Sequence, residues 1–235
     1  FNFLSSHDGI GINPARGILP ASEIDFLCQS ASDRQGRISY RNNGDGTKSP
    51  YELNCTYCDL LTPLDFSDEV RIKRHLLAHA IMFAFPGMPG IYIHSLMGSR
   101  NYLKGIEDTG SLRAMNREQL NSEAIISELN QQGSFRARIF SGMKRLLQVR
   151  SSNSAFACQA EFVIHNLSPQ IFAIERYNSE VGQRIIALNN LSESEVQICL
   201  PNNHTATREL LSGSVLNDKT VTLEPYGVSW CICAS

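Results

Sequence analysis

No stretch of this 235-residue sequence is long and apolar enough to cross a bilayer, and no stretch within it reads as a signal peptide. Lysine and arginine form no block: 21 basic residues stand against 23 acidic ones, leaving a net charge of −2. A nucleic-acid partner or an anionic membrane surface would call for a basic stripe that is missing. A nucleotide fingerprint is missing too, because Gly9-Ile10-Gly11 lacks the third glycine and the helix start it requires. The seven cysteines are odd in number and show no disulfide spacing, which reads as reduced thiols in a cytoplasmic protein. Cys55-Thr56-Tyr57-Cys58 is a lone CxxC, for which ordinary buried thiols are the plainer reading than a zinc or redox site. His75 and His79 share a helix face, but Leu76 stands where the H-E-x-x-H zinc motif needs glutamate. No metal and no organic cofactor is expected. Four N-x-S/T triplets, beginning at Asn54, Asn166, Asn190 and Asn203, are weak evidence for secretion in a chain rich in asparagine. No internal repeat or low-complexity segment is evident.

What is present starts at the first residue. Apolar content of 42% suffices for a sizeable core. Phe1-Asn2-Phe3-Leu4 alternates as a short strand buried on one face, and Ser5-Ser6 lead into His7-Asp8 before Gly9. A strand that ends in ionisable residues and breaks into glycine has the layout of a catalytic strand end in a (β/α)8 barrel. A chain that begins inside such a strand reads as cropped from a longer polypeptide.

Further along, Ser22 caps a short helix over 23–30, and residues 31–50 form a polar, turn-rich stretch centred on Asn42-Asn43-Gly44-Asp45-Gly46. Ser67 and Asp68 precede a strong helix over 69–85. Pro86-Gly87-Met88-Pro89-Gly90 stops it, and Ile91-Tyr92-Ile93-His94-Ser95-Leu96 reads as a buried strand, which would complete a parallel βαβ unit. A second polar loop covers 98–134, and residues 135–150 form another amphipathic helix. From Ala155 the texture changes to short alternating segments, 162–164, 171–177, 184–188, 196–200 and 220–223, separated by Asn, Ser, Gly and Pro turns. The expected architecture is the last two β/α units of a barrel (residues 1–154) followed by an antiparallel β-sandwich (155–235).

Five motifs occur in order: FNFLSSHDGIG, SPYELN, FPGMPGIYIHSLMGSRN, LRAMNR and LLSGSVLNDKTVTLEPYGVSW. Together they make the whole chain resemble the C-terminal part of the sucrose phosphorylase branch of the α-amylase family, closer to its glucosylglycerate phosphorylases than to sucrose phosphorylases proper. The resemblance implies a retaining phosphorylase that moves glucose between an α-glucoside and inorganic phosphate, giving glucose 1-phosphate. It also implies that the nucleophile and the acid/base lie on strands upstream of Phe1, in a missing N-terminal barrel half. The 235 residues alone are then expected to be inactive. Two other readings stay open: a hydrolase or transglucosidase of the same family, and a truncated, non-catalytic sugar-binding or partner protein.

By the same resemblance, Asp8 is the carboxylate that stabilises the transition state, and His7 donates to a sugar hydroxyl nearby. A fixed carboxylate suits that role because an oxocarbenium-like transition state is positive. Without the resemblance, Asp8 could equally cap the following turn. Arg117, with Asn116 beside it, matches the arginine that holds the glucose hydroxyls; a loop-anchoring salt bridge is its plainer alternative. Tyr51 and Glu52 sit in the loop that reaches the acceptor and phosphate end, where a tyrosine hydroxyl can donate to phosphate without adding charge. Glu52 replaces the glutamine of sucrose phosphorylases and Ser49 replaces an aspartate, changes that favour an acceptor such as glycerate over fructose. Arg16 and Arg113 are read as structural or peripheral.

Overall fold

The computed structural model of the protein describes residues 1–234, which separate into two compact units. The unit formed by Phe3–His75 and Ile91–Phe140 is organised on a small antiparallel sheet. Its strands are β1 (Ile10–Gly11), β2 (Arg37–Asn42) and β3 (Lys48–Asn54), in the spatial order β1–β3–β2. Helix α1 (Ala21–Asp33) supplies Ile24, Cys28 and Ala31 to a core shared with Ile12 and Leu53. The larger of these, Ile12, Ile24 and Leu53, contribute about 1.5–3 kcal/mol each on full burial.

Several expectations need correction here. Helix α1 begins at Ala21, with Pro20 rather than Ser22 as its cap. The fixed φ of Pro20, −64°, and its extended ψ set the entry, and its carbonyl accepts from Glu23 and Ile24. Residues 31–50 hold the end of α1, all of β2 and the start of β3 rather than irregular chain alone, and the Asn-Gly-Asp-Gly cluster closes the hairpin between the two strands. Pro50 hid β3, because proline argues against a central strand. The structure accommodates it with a register shift at Ser39/Tyr40 and with a β1 so short that it pairs only at Glu52 and Leu53.

The helices that follow are α2 (Tyr57–Leu60), α3 (Asp68–Ala84), α4 (Ile93–Leu96), α5 (Leu103–Thr109), α6 (Ser122–Asn130) and α7 (Phe135–Ser151). The expected strand over 91–96 is therefore a single helical turn. A strand needs a neighbour to bond, whereas here Leu96 and Met97 bond back to the Tyr92 and Ile93 carbonyls. The presumed loop over 98–134 contains α5, α6 and a 3₁₀ turn at Leu112–Asn116. Helix α6 is short and is fixed by Asn121, whose side chain accepts from the Ala124 N–H at 2.9 Å. Beneath these elements Asp59 is buried: its Oδ1 accepts from Arg71 at 3.3 Å and from Arg100, and its Oδ2 accepts from the Asn101 N–H at 2.7 Å.

The other unit comprises Phe1–Asn2, Leu76–Gly90 and the chain from Ser141 onward. Its strands are β4 (Glu161–Ser168), β5 (Ile171–Asn178), β6 (Gln183–Asn190), β7 (Val196–Cys199), β8 (Thr205–Glu209), β9 (Val215–Asp218), β10 (Thr220–Leu223) and β11 (Val228–Ala234). All pairings are antiparallel, in a six-stranded sheet β4–β5–β6–β11–β8–β9 and a two-stranded sheet β10–β7. Both sheets contribute to one core, with Ile171, Ile186, Leu188 and Cys231 from the larger and Val221 and Leu223 from the smaller. The antiparallel β region expected after residue 155 is present, with β8, β9 and β11 in addition to the segments read from the sequence. On the other side of the larger sheet, fully buried Trp230 packs on Phe156 at 4.7 Å between ring centroids. Buried Arg176 there donates to the Ala84 and Ala157 carbonyls at 2.8 and 2.7 Å.

The opening strand is also revised. Only an isolated parallel bridge, Asn2 to Pro89, is formed, through Asn2 N–H to the Met88 carbonyl at 2.9 Å and Gly90 N–H to the Asn2 carbonyl at 2.7 Å. The period-two alternation holds with its sense reversed: Phe1 and Phe3 are 81% and 57% exposed while Asn2 turns inward to the Pro86 carbonyl. Among the described residues no helix is long and apolar enough to span a membrane.

Candidate functional site

The Ser6–Gly9 turn is closed by two backbone bonds, Ser6 N–H to Gly9 O at 3.0 Å and Gly9 N–H to Ser6 O at 3.1 Å. His7 and Asp8 stand at its tip. Gly9 is required there: its φ is +120°, and a Cβ would overlap the Leu53 carbonyl oxygen and lie 3.3 Å from Asn116 Nδ2. The chain leaves this turn directly into β1, whose Gly11 pairs with Glu52 on β3. That register brings two carboxylates, eight and fifty-two residues into the chain, to one place.

Charge then alternates across the site. Arg117 Nη2 donates to Asp8 Oδ1 at 2.7 Å, and its Nε donates to the His7 carbonyl at 3.0 Å. Arg113 reaches the same Asp8 oxygen at 3.3 Å through Nη1, and its Nε donates to Glu52 Oε2 at 3.2 Å. His7 Nε2 lies 3.4 Å from Asp8 Oδ1. The resulting chain, Glu52–Arg113–Asp8–Arg117, neutralises each carboxylate with a guanidinium. Glu52 is buried, Asp8 is half-buried, and both arginines stay open to solvent. The hydrogen bond and charge of Glu52 push the Arg113 pKa up, with Asp8 adding to the effect. The two arginines share one support, since both flank or belong to the 3₁₀ turn at Leu112–Asn116. Tyr92 holds that turn by donating its hydroxyl to the Asn116 carbonyl at 2.5 Å. Burial, and then the Asp8 charge against that of Arg117, leave the Tyr92 phenol with a raised pKa, so it remains a donor.

Of the residues picked from sequence, His7, Asp8, Asn116, Arg117 and Glu52 come together here. Asn116 is buried, and its Nδ2 has no hydrogen-bond partner among the described residues. Tyr51, 38% exposed, uses its carbonyl to accept from Ile12 N–H, with its side chain at the surface beside Glu52. Arg113, read from sequence as structural or peripheral, is the link between the two carboxylates. Asn54 was also missed, although the SPYELN motif ends on it; it donates to the Asp8 carbonyl and to Glu52. Arg16 lies apart, donating to the Pro50 carbonyl behind the loop. His75 and His79 are buried: His75 Nε2 bonds the Ser95 carbonyl at 2.9 Å and His79 packs near Phe83. No group of three or more His, Cys, Asp and Glu is arranged to hold a metal ion among the described residues. Cys28, Cys55, Cys58, Cys231 and Cys233 are buried free thiols.

No family model matches the sequence. The fold is similar to that of the crystal structure of sucrose 6F-phosphate phosphorylase from Thermoanaerobacter thermosaccharolyticum, with a TM-score of 0.69 and 20% identity. That likeness covers 94% of this chain and 40% of that one. Glucosylglycerate phosphorylase of Escherichia coli K12 is 40% identical over 230 residues, 98% of this chain and 41% of that protein. The protein of the same name from Spirochaeta thermophila is 35% identical, again over 98% of this chain and 41% of its own length. The chain belongs with the glucosylglycerate phosphorylase-like members of the sucrose phosphorylase branch of the α-amylase family, as a C-terminal part. It spans about two fifths of the length of these curated relatives.

Proposed function

We propose that the chain is the C-terminal part of a retaining α-glucoside phosphorylase, with residues 1–154 ending its (β/α)8 barrel and 155–235 forming its β-domain. One observation carries this reading: an arginine-clamped carboxylate, Asp8, stands at a turn that requires glycine, beside a second, buried carboxylate, Glu52. The parallel bridge Asn2 to Pro89 and the outward-facing Phe1 and Phe3 fit a barrel whose other strands are supplied elsewhere. In the reaction, the bond between the anomeric carbon and the acceptor oxygen breaks, and a proton from the acid/base goes to the leaving oxygen. The glucosyl group passes to a carboxylate nucleophile; a phosphate oxygen then attacks the anomeric carbon, breaking the bond to that carboxylate and returning the phosphate's proton to the acid/base, to give glucose 1-phosphate with retained configuration. Both of those groups belong to the upstream part of the enzyme.

The residues of this chain do the rest. Asp8 faces the positive charge that develops at the anomeric centre, where a preorganised carboxylate needs no reorientation. Arg117 fixes Asp8 and offers its remaining donors to the glucose hydroxyls, with His7 and Asn116 alongside. Arg113, Glu52 and the exposed Tyr51 form the acceptor side, where phosphate and the α-glucoside's other half take turns. A cationic Arg113 set against Glu52 suits an acceptor carrying both hydroxyls and a carboxylate, such as glycerate. The enzyme acts in the cytoplasm, with phosphate as substrate and no resident metal. The test is product analysis of the full-length protein with α-glucosides, with and without phosphate, and with glucose 1-phosphate against a panel of acceptors. Phosphate-dependent formation of glucose 1-phosphate is expected. Free glucose released at the same rate in both would make it a hydrolase, and no turnover would favour a binding or partner role.

A further inference from the structure

Asn54 is completely buried at the end of β3, and its amide is bonded on both sides. Nδ2 donates to the Asp8 carbonyl at 2.9 Å and to Glu52 Oε2 at 3.1 Å, while Oδ1 accepts from Ser39 Oγ at 2.6 Å. Both partners of the nitrogen can only accept, and the partner of the oxygen is a hydroxyl able to donate. The amide therefore has one orientation. No other common side chain of this size puts two donors on one atom and an acceptor beside it. Aspartate would lose both donors, and leucine would strand a carboxylate and a carbonyl, each unsatisfied polar group costing about 1–3 kcal/mol.

We propose that Asn54 is the positioning residue that couples the Asp8 turn to the Glu52 carboxylate, fixing the separation between the transition-state side and the acceptor side of the site. The inference rests on the phosphorylase reading. Asp8 is held through its carboxylate by Arg117 and Arg113, but those side chains are flexible and about two-fifths exposed. Its backbone is tied by the Ser6–Gly9 turn, by Arg117 to the His7 carbonyl, and by Asn54, which alone of these bonds connects the turn to β3 through a side chain that does not meet solvent. Small displacements matter at such a place, since a misplacement of about 1 Å can cost on the order of 10²-fold in rate. Burial also removes Asn54 from its N-x-T role: a side chain with no exposed surface cannot carry a glycan in the folded protein.

The test is Asn54→Asp in the full-length enzyme, followed as a pH profile of kcat and of acceptor selectivity. The charged groups around the introduced carboxyl are Glu52 on its own strand and Asp8 and Arg113 across from it. Arg37, opposite on β2, is turned to the Gln35 and Gly36 carbonyls. Two carboxyls in contact share a proton, so one of them titrates well above its ordinary range. With that proton held, one O–H still donates within the pair. As pH rises it is lost, and like charges push β3 and the turn apart. A pH-independent loss of about 2- to 10-fold is expected on the acid side, where the Asp8 carbonyl alone lacks its donor, with a further fall of about 10- to 100-fold on the alkaline limb and selectivity changing along the same limb. A loss that does not vary with pH would show a merely structural asparagine and overturn the proposal. If that variant does not fold, Ser39→Ala frees the amide to turn without touching substrate. It should lower kcat by about 2- to 10-fold, the net value of one hydrogen bond, at unchanged KM for the α-glucoside. An unchanged kcat and selectivity would overturn the proposal. Parental enzyme that forms glucose 1-phosphate while both variants match it refutes the Asn54 role alone. Parental enzyme without phosphate-dependent transfer refutes the functional reading and this role with it.

Discussion

Replacing Gly9 with alanine should be the most damaging one-carbon change in the site. At φ +120° an alanine occupies a region that costs about 1–3 kcal/mol for any residue with a Cβ. The new methyl would also overlap the Leu53 carbonyl oxygen, a backbone atom that cannot rotate aside as a side chain would. Making room means separating the Ser6–Gly9 turn from β3, at a cost typical of overpacking, about 1–3 kcal/mol. Together these predict a loss of about 2–6 kcal/mol. For a chain of this length each kcal/mol lowers the unfolding midpoint by roughly 2–4 °C, so a drop of at least about 4 °C is expected. The assay is thermal unfolding of parental and Gly9→Ala protein at matched concentration. A drop below about 2 °C would refute the reasoning, because it would mean that the turn relaxes without cost and does not hold Asp8 where it is placed.

Four further outcomes follow from the same geometry. Asp8→Asn in the full-length enzyme should lower kcat by orders of magnitude with its unfolding midpoint essentially kept, and near-normal turnover would remove Asp8 from the mechanism. Glu52→Gln should shift acceptor preference toward neutral polyols while leaving KM for the α-glucoside's glucose half little changed, read from competing acceptors. Asp59→Ala leaves fully buried Arg71 without its carboxylate and should destabilise by about 3–5 kcal/mol in denaturant unfolding. Burial pushes the thiols of Cys55, Cys58 and Cys233 up to about 12 and that of Cys231 to about 11. At mildly alkaline pH they therefore carry almost no thiolate, and a thiol reagent should label only the exposed Cys158 and Cys199 before unfolding.

The sequence by itself determined the chemistry-bearing segments and their order. His7-Asp8 before Gly9, SPYELN and LRAMNR are local patterns, and local patterns survive reading in one dimension. The long helices α3 and α7 were legible for the same reason, since seventeen residues of one period outweigh any single substitution. So were β5, β6, β7 and β10, whose alternation is bounded by turn residues.

What the tertiary structure decided are the features that depend on a neighbour distant in sequence. Ile91–Leu96 has strand composition but no strand beside it, so its N–H groups close a helical turn instead. Pro50 is tolerated in β3 because β1 is too short to need its missing N–H. Phe1 and Phe3 alternate as predicted yet face outward, because alternation fixes which residues share a face and not which face is covered. Arg113 and Asn54 lie within LRAMNR and SPYELN, but nothing in those motifs singles them out, and each became part of the site through partners 46 to 105 residues away. A hydrogen bond or ion pair is a property of two positions, and the chain alone names only one of them at a time.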